Sequence, residues 1–302
     1  MLEVLTRAGC FAAIILLGFL LKKFGLFKDS DFSVLSTVVL KITLPGAIII
    51  NFANKELVTS LLGLTLLGVL CGALYIGLAF LFNIRSSKER RAFEILNLPG
   101  YNIGCFALPF VQSFLGPVGV IATCLFDIGN GFICLGTAFS IAVMVKDGGR
   151  FSLKRVFRTL MKSLPFILYV LMPILCLLHI TIPQSITSLA GIVGNANAFM
   201  AMFMIGVGFK LVADKTQLGK IAKILIIRFS IAIILATAFY FLLPFSMEIR
   251  KTMMLLVFSP IGAAVPAFTG EMKGNVGLSS AINSLSIICS IIFMVTLLIL
   301  IP

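Results

Sequence analysis

Apolar segments of membrane-spanning length follow one another along almost the whole chain. A spanning helix needs about 20 mostly apolar residues, and this sequence of 302 residues is 60% hydrophobic and only 12% charged. Because surface and loops dilute the apolar fraction of a soluble domain, this composition excludes a soluble protein. The fold class that we predict is all-α integral membrane. Its ten segments are 4–21, 34–52, 61–82, 92–112, 118–145, 164–180, 186–209, 224–243, 252–270 and 276–300.

Basic residues are unevenly distributed between the connecting loops. The loops after the odd-numbered segments carry 18 of the 24 Lys and Arg residues, and the opposite side carries 4. Positive charge stays on the cytoplasmic side of a membrane, so both termini are predicted to be extracytoplasmic. The formal charge of +13 therefore reflects topology, and we expect a multi-pass protein of the cell membrane with no nucleic-acid partner.

The segment 146–163 divides the chain into two halves. It is rich in Lys and Arg and is predicted to be an amphipathic connector at the lipid surface. The halves, approximately 1–145 and 164–302, hold five segments each, within a single transmembrane unit 1–302. Because five is odd, the second half starts on the opposite side of the membrane. The sequence thus predicts two inverted five-helix repeats.

A proline-interrupted pattern occurs at corresponding places in the two halves. Proline removes an amide donor and clashes with the preceding turn, and unwound backbone is tolerated at membrane depth only against protein or water. One such segment would be an ordinary kink; two matched ones predict broken, crossing helices 4 and 9 that form a transport site. The copies are Ala107-Leu108-Pro109 with Gly116-Pro117-Val118-Gly119, and Ala264-Val265-Pro266 with Gly274-Asn275-Val276-Gly277.

The broken helices suggest how a ligand is held. Free amides and the partial positive charge at an inner helix N-terminus suit a small anion such as a carboxylate, without a buried arginine. The candidate substrate-binding residues are Asn102, Gly104, Pro109, Pro260, Gly262 and Pro266. Three further asparagines, Asn51, Asn195 and Asn197, either line the cavity or join helices by hydrogen bonds.

Asp127 is the one carboxylate deep in a segment, and Asn130 lies one turn further on the same face. Intramembrane carboxylates commonly mark ion pathways, so Asp127 and Asn130 are candidates for coupling to H⁺ or Na⁺. The alternative is a structural hydrogen bond. Lys41 and Arg228 are expected near the cytoplasmic ends of their helices, where long side chains snorkel, and Lys41 is placed to pair with Glu94.

The run from Leu98 to Gly119 resembles helix 4 of the auxin efflux carrier family, whose plant members are the PIN auxin carriers. A Leu-Pro precedes Asn102, Pro109 follows it by seven residues, and Gly116 lies beyond. The second half looks like the family's helix 9, and the end of segment two looks like its helix 2. Those matches are Pro260-x-Gly262, Val265-Pro266-Ala267-Phe268, Glu271 and Asn275-Val276, and Leu44-Pro45 with Phe52-Ala53-Asn54.

This resemblance implies a ten-helix, inverted-repeat secondary carrier with a scaffold part and a transport part. It also implies that Asn102 and the crossover of helices 4 and 9 bind the carboxylate of the substrate. The alternative within the same broad architecture is a sodium-coupled carrier like the bile-acid symporters.

Other classes of protein fit the sequence poorly. The segments contain no Ser/His, paired-Asp or metal-ligand set, which argues against an enzyme, and they are too apolar for the polar pore of a channel. We therefore expect a secondary transporter that moves a mono- or dicarboxylate by alternating access, without a cofactor. Membrane lipids are expected partners, and a homodimer is compatible with the sequence. The identity of the substrate and the direction of transport are not indicated.

Overall fold

The structure is a computed structural model that describes residues 2–210 and 215–301, and these residues form helices and no strand. Seven helices are long and apolar enough to cross a membrane, or eight if a bent pair is counted as one span. That pair, Leu153–Leu160 and Leu164–Leu177, bends by 82°. The helices are compatible with a multi-pass membrane protein. Residues 211–214, in the loop predicted after the seventh segment, lie outside the described parts.

Sixteen α-helices make up most of the described chain. Three five-residue π-helical segments, Val39–Thr43, Ile103–Ala107 and Ile133–Thr137, immediately precede α3, α6 and α8. The α-helices are α1 (Leu2–Lys23), α2 (Asp31–Val38), α3 (Leu44–Phe52), α4 (Gly63–Phe82), α5 (Lys88–Asn97), α6 (Leu108–Phe114), α7 (Pro117–Phe132), α8 (Ala138–Asp147), α9 (Leu153–Leu160), α10 (Leu164–Leu177), α11 (Gln184–Asn195), α12 (Asn197–Gly208), α13 (Leu218–Leu242), α14 (Met247–Val257), α15 (Val265–Glu271) and α16 (Val276–Leu300).

The fourth and ninth predicted segments are both interrupted, but not where the Ala-x-Pro motifs suggested. The non-helical stretches are 98–102, between α5 and the π segment before α6, and 258–264, between α14 and α15. Pro109 and Pro266 each lie at the start of the following α-helix. At Pro266 the missing amide costs little, because the first amides of a helix have no partner within it. Pro109 instead follows a π segment without interruption.

Two of the π segments stand directly before a Leu-Pro pair. Val39–Thr43 precedes Leu44-Pro45, and Ile103–Ala107 precedes Leu108-Pro109. A proline ring clashes with the carbonyl group four residues earlier in a regular α-helix. The wider π turn moves that carbonyl group away, so the chain continues as a helix through both prolines.

The helices pack as two groups. The first helix group contains α1, α2–α3 and α10–α12, and the second helix group contains α4–α8 and α13–α16. Within the groups, three crossings depend on glycine pairs. A Cβ atom added at any of these glycines would lie 2.0–2.9 Å from a backbone atom of the opposite helix. The pairs are Gly18 with Gly206, Gly46 with Gly194, and Gly68 with Gly129.

The basic connector forms α9. It buries Val156 and Leu160 and exposes Arg155 and Arg158. Val156 packs against Gly136 of the π segment before α8, where an added Cβ atom would lie 2.7 Å from Val156 Cγ1. One face of the connector therefore packs on the second helix group, as an amphipathic pattern requires.

Candidate functional site

The two breaks touch each other in the interior of the protein. The backbone N–H of Asn102 donates to the carbonyl oxygen of Pro260 across 2.8 Å. Cys134 fills the space beside both breaks: a Cβ atom added at Gly100 or Gly262 would lie 2.8 Å or 2.6 Å from its Sγ atom. Glycine is thus needed on each break for the two to approach the same sulphur atom.

An asparagine from the second α-helix after each break satisfies the unwound backbone. Asn130 of α7 accepts from the N–H of Tyr101 and donates to its carbonyl oxygen, both at 2.9 Å. Asn283 of α16 donates to the carbonyl oxygen of Ile261 at 2.9 Å. Backbone groups without helical partners are costly away from water. The two asparagines therefore stabilise the breaks in equivalent ways.

A cavity of about 150 Å³, the first cavity, lies between the two helix groups beside the breaks. All three π segments contribute to its wall, which agrees with the frequent occurrence of π turns at functional sites. From the second helix group it is lined by Tyr101, Asn102, Ile103, Gly104, Cys105, Asp127, Asn130, Gly131, Cys134, Leu135, Gly262, Ala263 and Ala264. From the first helix group and the connector it is lined by Ser36, Leu40, Leu44, Ser163, Pro165, Phe166, Tyr169 and Met204.

A second cavity of about 240 Å³ lies on the other side of Asn102. It is also between the helix groups, and it is lined by polar residues that include Lys210, Ser280 and Asn283 as well as by Pro266. Only Asn102, Met204 and Ala263 line both cavities. These three residues form the partition between two adjacent spaces.

Asn102 occupies this partition with an unused side chain. The residue is only 6% exposed, and no described residue hydrogen-bonds its side-chain amide. The amide atoms of Asn102 are not among the fully shielded polar atoms that lack a partner, so they keep access to the space of the cavities. An unpartnered amide that faces two cavities is a suitable group for a polar ligand.

Asp127 lies in the wall of the first cavity and is linked to the break. Its Oδ1 atom accepts a 2.7 Å hydrogen bond from Nδ2 of Asn130, the amide that also donates to Tyr101. Tyr169 of α10 lines the same cavity from the first helix group. Asp127 and Asn130, which were predicted to share a helix face, are thus hydrogen-bonded to each other, and this bond connects a carboxylate to the backbone of the first break.

The structure corrects the expected position of Arg228. Because α13 begins at Leu218, Arg228 lies ten residues into a 25-residue helix, about 15 Å from its start. It is fully buried and donates to the carbonyl oxygens of Leu98 at 2.6 Å, Gly100 at 2.9 Å and Ser259 at 2.8 Å. The expectations that it snorkels and that the crossover has no buried arginine are both wrong.

The predicted pair of Lys41 and Glu94 is also wrong. Glu94 is buried and accepts from Lys223 of α13 at 3.0 Å and from Arg90 at 3.3 Å, whereas Lys41 is exposed.

At the second cavity, Asp29 forms ion pairs with Lys22 at 2.7 Å and Lys210 at 3.6 Å. The hydrogen bond from Lys22 lowers the pKa of Asp29.

Some of the other predicted site residues line the cavities and some do not. Gly104 and Gly262 line the first cavity and Pro266 lines the second, whereas Pro260 contributes its carbonyl oxygen to the bond with Asn102. Pro109 is buried outside both cavities. None of Asn51, Asn195 and Asn197 lines them either. Asn195 is exposed, and Asn197 accepts from Thr43 Oγ1 at 3.0 Å, which is an interhelical hydrogen bond.

Sequence reasoning missed several residues of the site. Met204 and Tyr169 come from the first helix group, and Cys134 lies between the breaks. Each is an ordinary residue of an apolar segment, so no local pattern distinguishes it. Arg228 had a signal, because a charge within an apolar segment needs partners.

No model of a known protein family matches the chain, and no curated protein matches it significantly. A function for this protein therefore rests on the geometry of the breaks and cavities, together with the sequence resemblance. No group of three His, Cys, Asp or Glu side chains that would hold a metal ion occurs in residues 2–210 and 215–301.

Proposed function

We propose that the protein is a secondary active transporter of the auxin efflux carrier type. It moves a small organic anion, a mono- or dicarboxylate, across the cell membrane by alternating access. The substrate binds beside Asn102, between the two helix groups, and no ATP-binding or catalytic machinery takes part.

The observation that carries this proposal is the environment of Asn102. Its amide has no partner among the described residues and keeps access to the cavities, and it lies where two broken segments meet and two cavities adjoin. Discontinuous helices at the middle of a membrane protein are a recurrent way to hold substrates, since they supply backbone groups without a buried charge in the ligand's path. The cavity volume of about 150 Å³ suits a ligand of a few heavy atoms.

Ten crossings arranged as two inverted repeats follow from this proposal. The eight candidate spans, with the bent pair counted as one, and the two broken segments together give ten. The contacts between segments also support two inverted repeats, because a contacting pair of segments has a counterpart pair that is also in contact. Segments 1 and 7 pack as α1 on α12, while their counterparts 6 and 2 pack as α10 on α3. Segments 3 and 5 pack as α4 on α7, while 8 and 10 pack as α13 on α16.

In this topology both cavities reach toward the cytoplasm. The first extends to Ser36 and Ser163, and the second extends to Asp29 and Lys210. These residues lie in or near the loops that carry most of the Lys and Arg, which face the cytoplasm. We therefore assign the conformation as inward-facing, with the two helix groups as the parts that move against each other.

Asp127 provides the coupling. An anion in the first cavity shares about 150 Å³ with this carboxylate, and two negative charges so close together repel each other strongly. Protonation of Asp127, or a bound cation, removes that repulsion. The substrate therefore enters together with H⁺ or Na⁺. A sodium-coupled carrier like the bile-acid symporters is the second candidate, because a carboxylate beside the crossover is the group that such a carrier would use.

A stabilisation screen on the purified protein tests this function. Thermal unfolding is measured with acetate, benzoate, succinate and citrate, at pH 5.5 and 7.5, with and without sodium. We expect at least one carboxylate to raise the unfolding temperature of the wild type but not that of Asn102→Ala. The matched control is Asn195→Ala, which changes an exposed asparagine outside both cavities.

The outcomes separate the alternatives. Stabilisation only at the lower pH indicates proton coupling, and stabilisation only with sodium indicates the sodium-coupled carrier. An unchanged response in Asn102→Ala, measured with a carboxylate that stabilises the wild type, rules out the site. The same carboxylate is then followed in proteoliposomes, where uptake against a gradient distinguishes a carrier from a passive pore.

A further inference from the structure

One cationic side chain, that of Arg228, forms hydrogen bonds with both breaks. The guanidinium group of Arg228 donates to Leu98 and Gly100 of the first break and to Ser259 of the second, at 2.6–2.9 Å. Arg228 is 0% exposed. No carboxylate of the described residues forms an ion pair with it.

The charge of Arg228 is balanced by helix ends. α5 ends at Asn97 and α14 ends at Val257, so the three carbonyl groups that Arg228 contacts lie directly beyond two helix C-termini. Each C-terminus carries about half a negative elementary charge. Two such ends together match one guanidinium group, which explains how a cation is tolerated at this depth without an acidic partner.

Aromatic rings hold the guanidinium group in place. Its Cζ atom lies 5.5 Å from the ring centre of Tyr75 and 5.1 Å from that of Tyr101. The hydroxyl group of Tyr75 donates to the carbonyl oxygen of Arg228 at 3.0 Å. A planar fork of five donors between two rings fits this arrangement, whereas the single ammonium group of lysine does not.

We propose that Arg228 is a positioning residue that joins the two breaks into one rigid unit. It neutralises the C-terminal ends of α5 and α14, which point away from the ligand. The Asn102 amide and the backbone end that begins the next helix at Ile103 are left facing the cavities, and Asp127 is the carboxylate that shares the first cavity with them. These donors accept an anion once Asp127 is protonated or paired with a cation, and Arg228 supports them without lining either cavity.

A path of contacts connects Arg228 to the site. Arg228 stacks on Tyr101, Tyr101 is held by Asn130 through two hydrogen bonds, and Asn130 is bonded to Asp127. Tyr101 is also the residue before Asn102. Loss of Arg228 therefore loosens the first break at Tyr101 and the second break at Ser259 together. The consequence for anion binding rests on the proposed function; the joining of the breaks does not.

Hydrogen–deuterium exchange in lipid nanodiscs tests the proposal directly. The backbone amides of residues 98–104 and 258–264 are followed in the wild type, Arg228→Met and Arg228→Lys. We expect Arg228→Met to speed exchange at both breaks about tenfold or more, since several buried, charge-assisted hydrogen bonds are lost. Arg228→Lys is expected to restore part of the protection at both breaks. The matched control on α13 is Lys223→Gln, which removes the contacts of Lys223 with Glu94 and Asn83, both outside the two breaks.

Each result supports or overturns the proposal. Wild-type exchange at either break in Arg228→Met would show that the residue does not join them. Equal protection in Arg228→Met and Arg228→Lys would show that only packing volume matters. If Arg228→Met does not fold, Arg228→Lys decides, and wild-type exchange at both breaks in that variant overturns the idea. Because exchange requires no ligand, a failure of every carboxylate in the stabilisation screen leaves this test intact.

Discussion

The backbone of Asn102 is bound to the backbone of Pro260 through a single hydrogen bond of 2.8 Å from N–H to carbonyl oxygen. Proline accepts but does not donate, so this link between the breaks runs in one direction. The Asn102 side chain takes no part in it. The backbone of Asn102 therefore joins the two breaks, whereas the proposed ligand site uses its side-chain amide.

This separation predicts opposite effects for two substitutions of Asn102. Asn102→Ala keeps the backbone bond, so the unfolding temperature stays near that of the wild type while the response to carboxylates is lost. Asn102→Pro removes the N–H and leaves the Pro260 carbonyl oxygen without its donor, which should cost about 1–3 kcal/mol. Thermal unfolding in detergent measures both. A large loss of stability in Asn102→Ala would contradict the division of roles.

The contact of Cys134 with both breaks predicts that removing its sulphur atom restores the stability lost in one glycine substitution. Gly262→Ala should destabilise the protein by about 1–3 kcal/mol, because its Cβ atom would lie 2.6 Å from Cys134 Sγ. Adding Cys134→Ala removes that sulphur atom and should recover most of the loss. The same second change should not rescue Gly100→Ala, since Gly100 has φ +81° and an alanine there remains strained. The stabilities of these variants and of Cys134→Ala alone, compared in two double-mutant cycles that share the wild type and Cys134→Ala, decide.

Two glycines of α4 provide a matched test of the close crossing with α7. A Cβ atom at Gly68 would lie 2.3 Å from the carbonyl oxygen of Phe126, whereas one at Gly77 meets nothing within 4 Å. Gly68→Ala should therefore lower the unfolding temperature clearly, and Gly77→Ala should leave it equal or slightly higher, because alanine favours helices. Equal behaviour of the two variants would refute backbone contact at this crossing.

Glu94 is predicted to contribute more to stability than the exposed charge that it also binds. The carboxylate is buried against Lys223, while Arg90 is half exposed. Glu94→Gln should cost about 1–3 kcal/mol, and Arg90→Gln should cost less than about 1 kcal/mol, as exposed ion pairs do. Urea or thermal unfolding at low and moderate salt measures both. A larger effect for Arg90→Gln would place the important pair on the surface.

The sequence predicted the features that have a local chemical cause. Pro260 and Gly262, which the sequence singled out, fall in the second break. Pro99 and Gly100 fall in the first break for the same reason, because clustered proline and glycine cannot sustain a helix. The face shared by Asp127 and Asn130 followed from helical spacing. Pro109 was misjudged, since a π segment before it lets the helix continue. That accommodation depends on the packing around Ile103–Ala107, which sequence spacing does not reveal.

Other features depended on boundaries or on distant parts of the chain. Arg228 was misplaced because the helix begins at Leu218, six residues before the predicted start at 224. Met204 and Tyr169 reach the first cavity only through the packing of the two helix groups. A methionine or tyrosine in an apolar segment is usually a core residue, so their position could not be read from the pattern.

The glycine crossings have a mechanical consequence. Within each helix group, these crossings place one helix backbone directly against another. Such a contact has no side-chain torsion that could change to accommodate movement. Between the groups, Gly104 instead meets the side chains of Leu44 and Tyr169, and Gly131 meets the ring of Phe166. Side chains can exchange rotamers while the backbone stays fixed. The interface that contains both cavities is therefore the surface along which the proposed movement of the two helix groups would occur, and disulfides placed across it would arrest that movement without distorting either group.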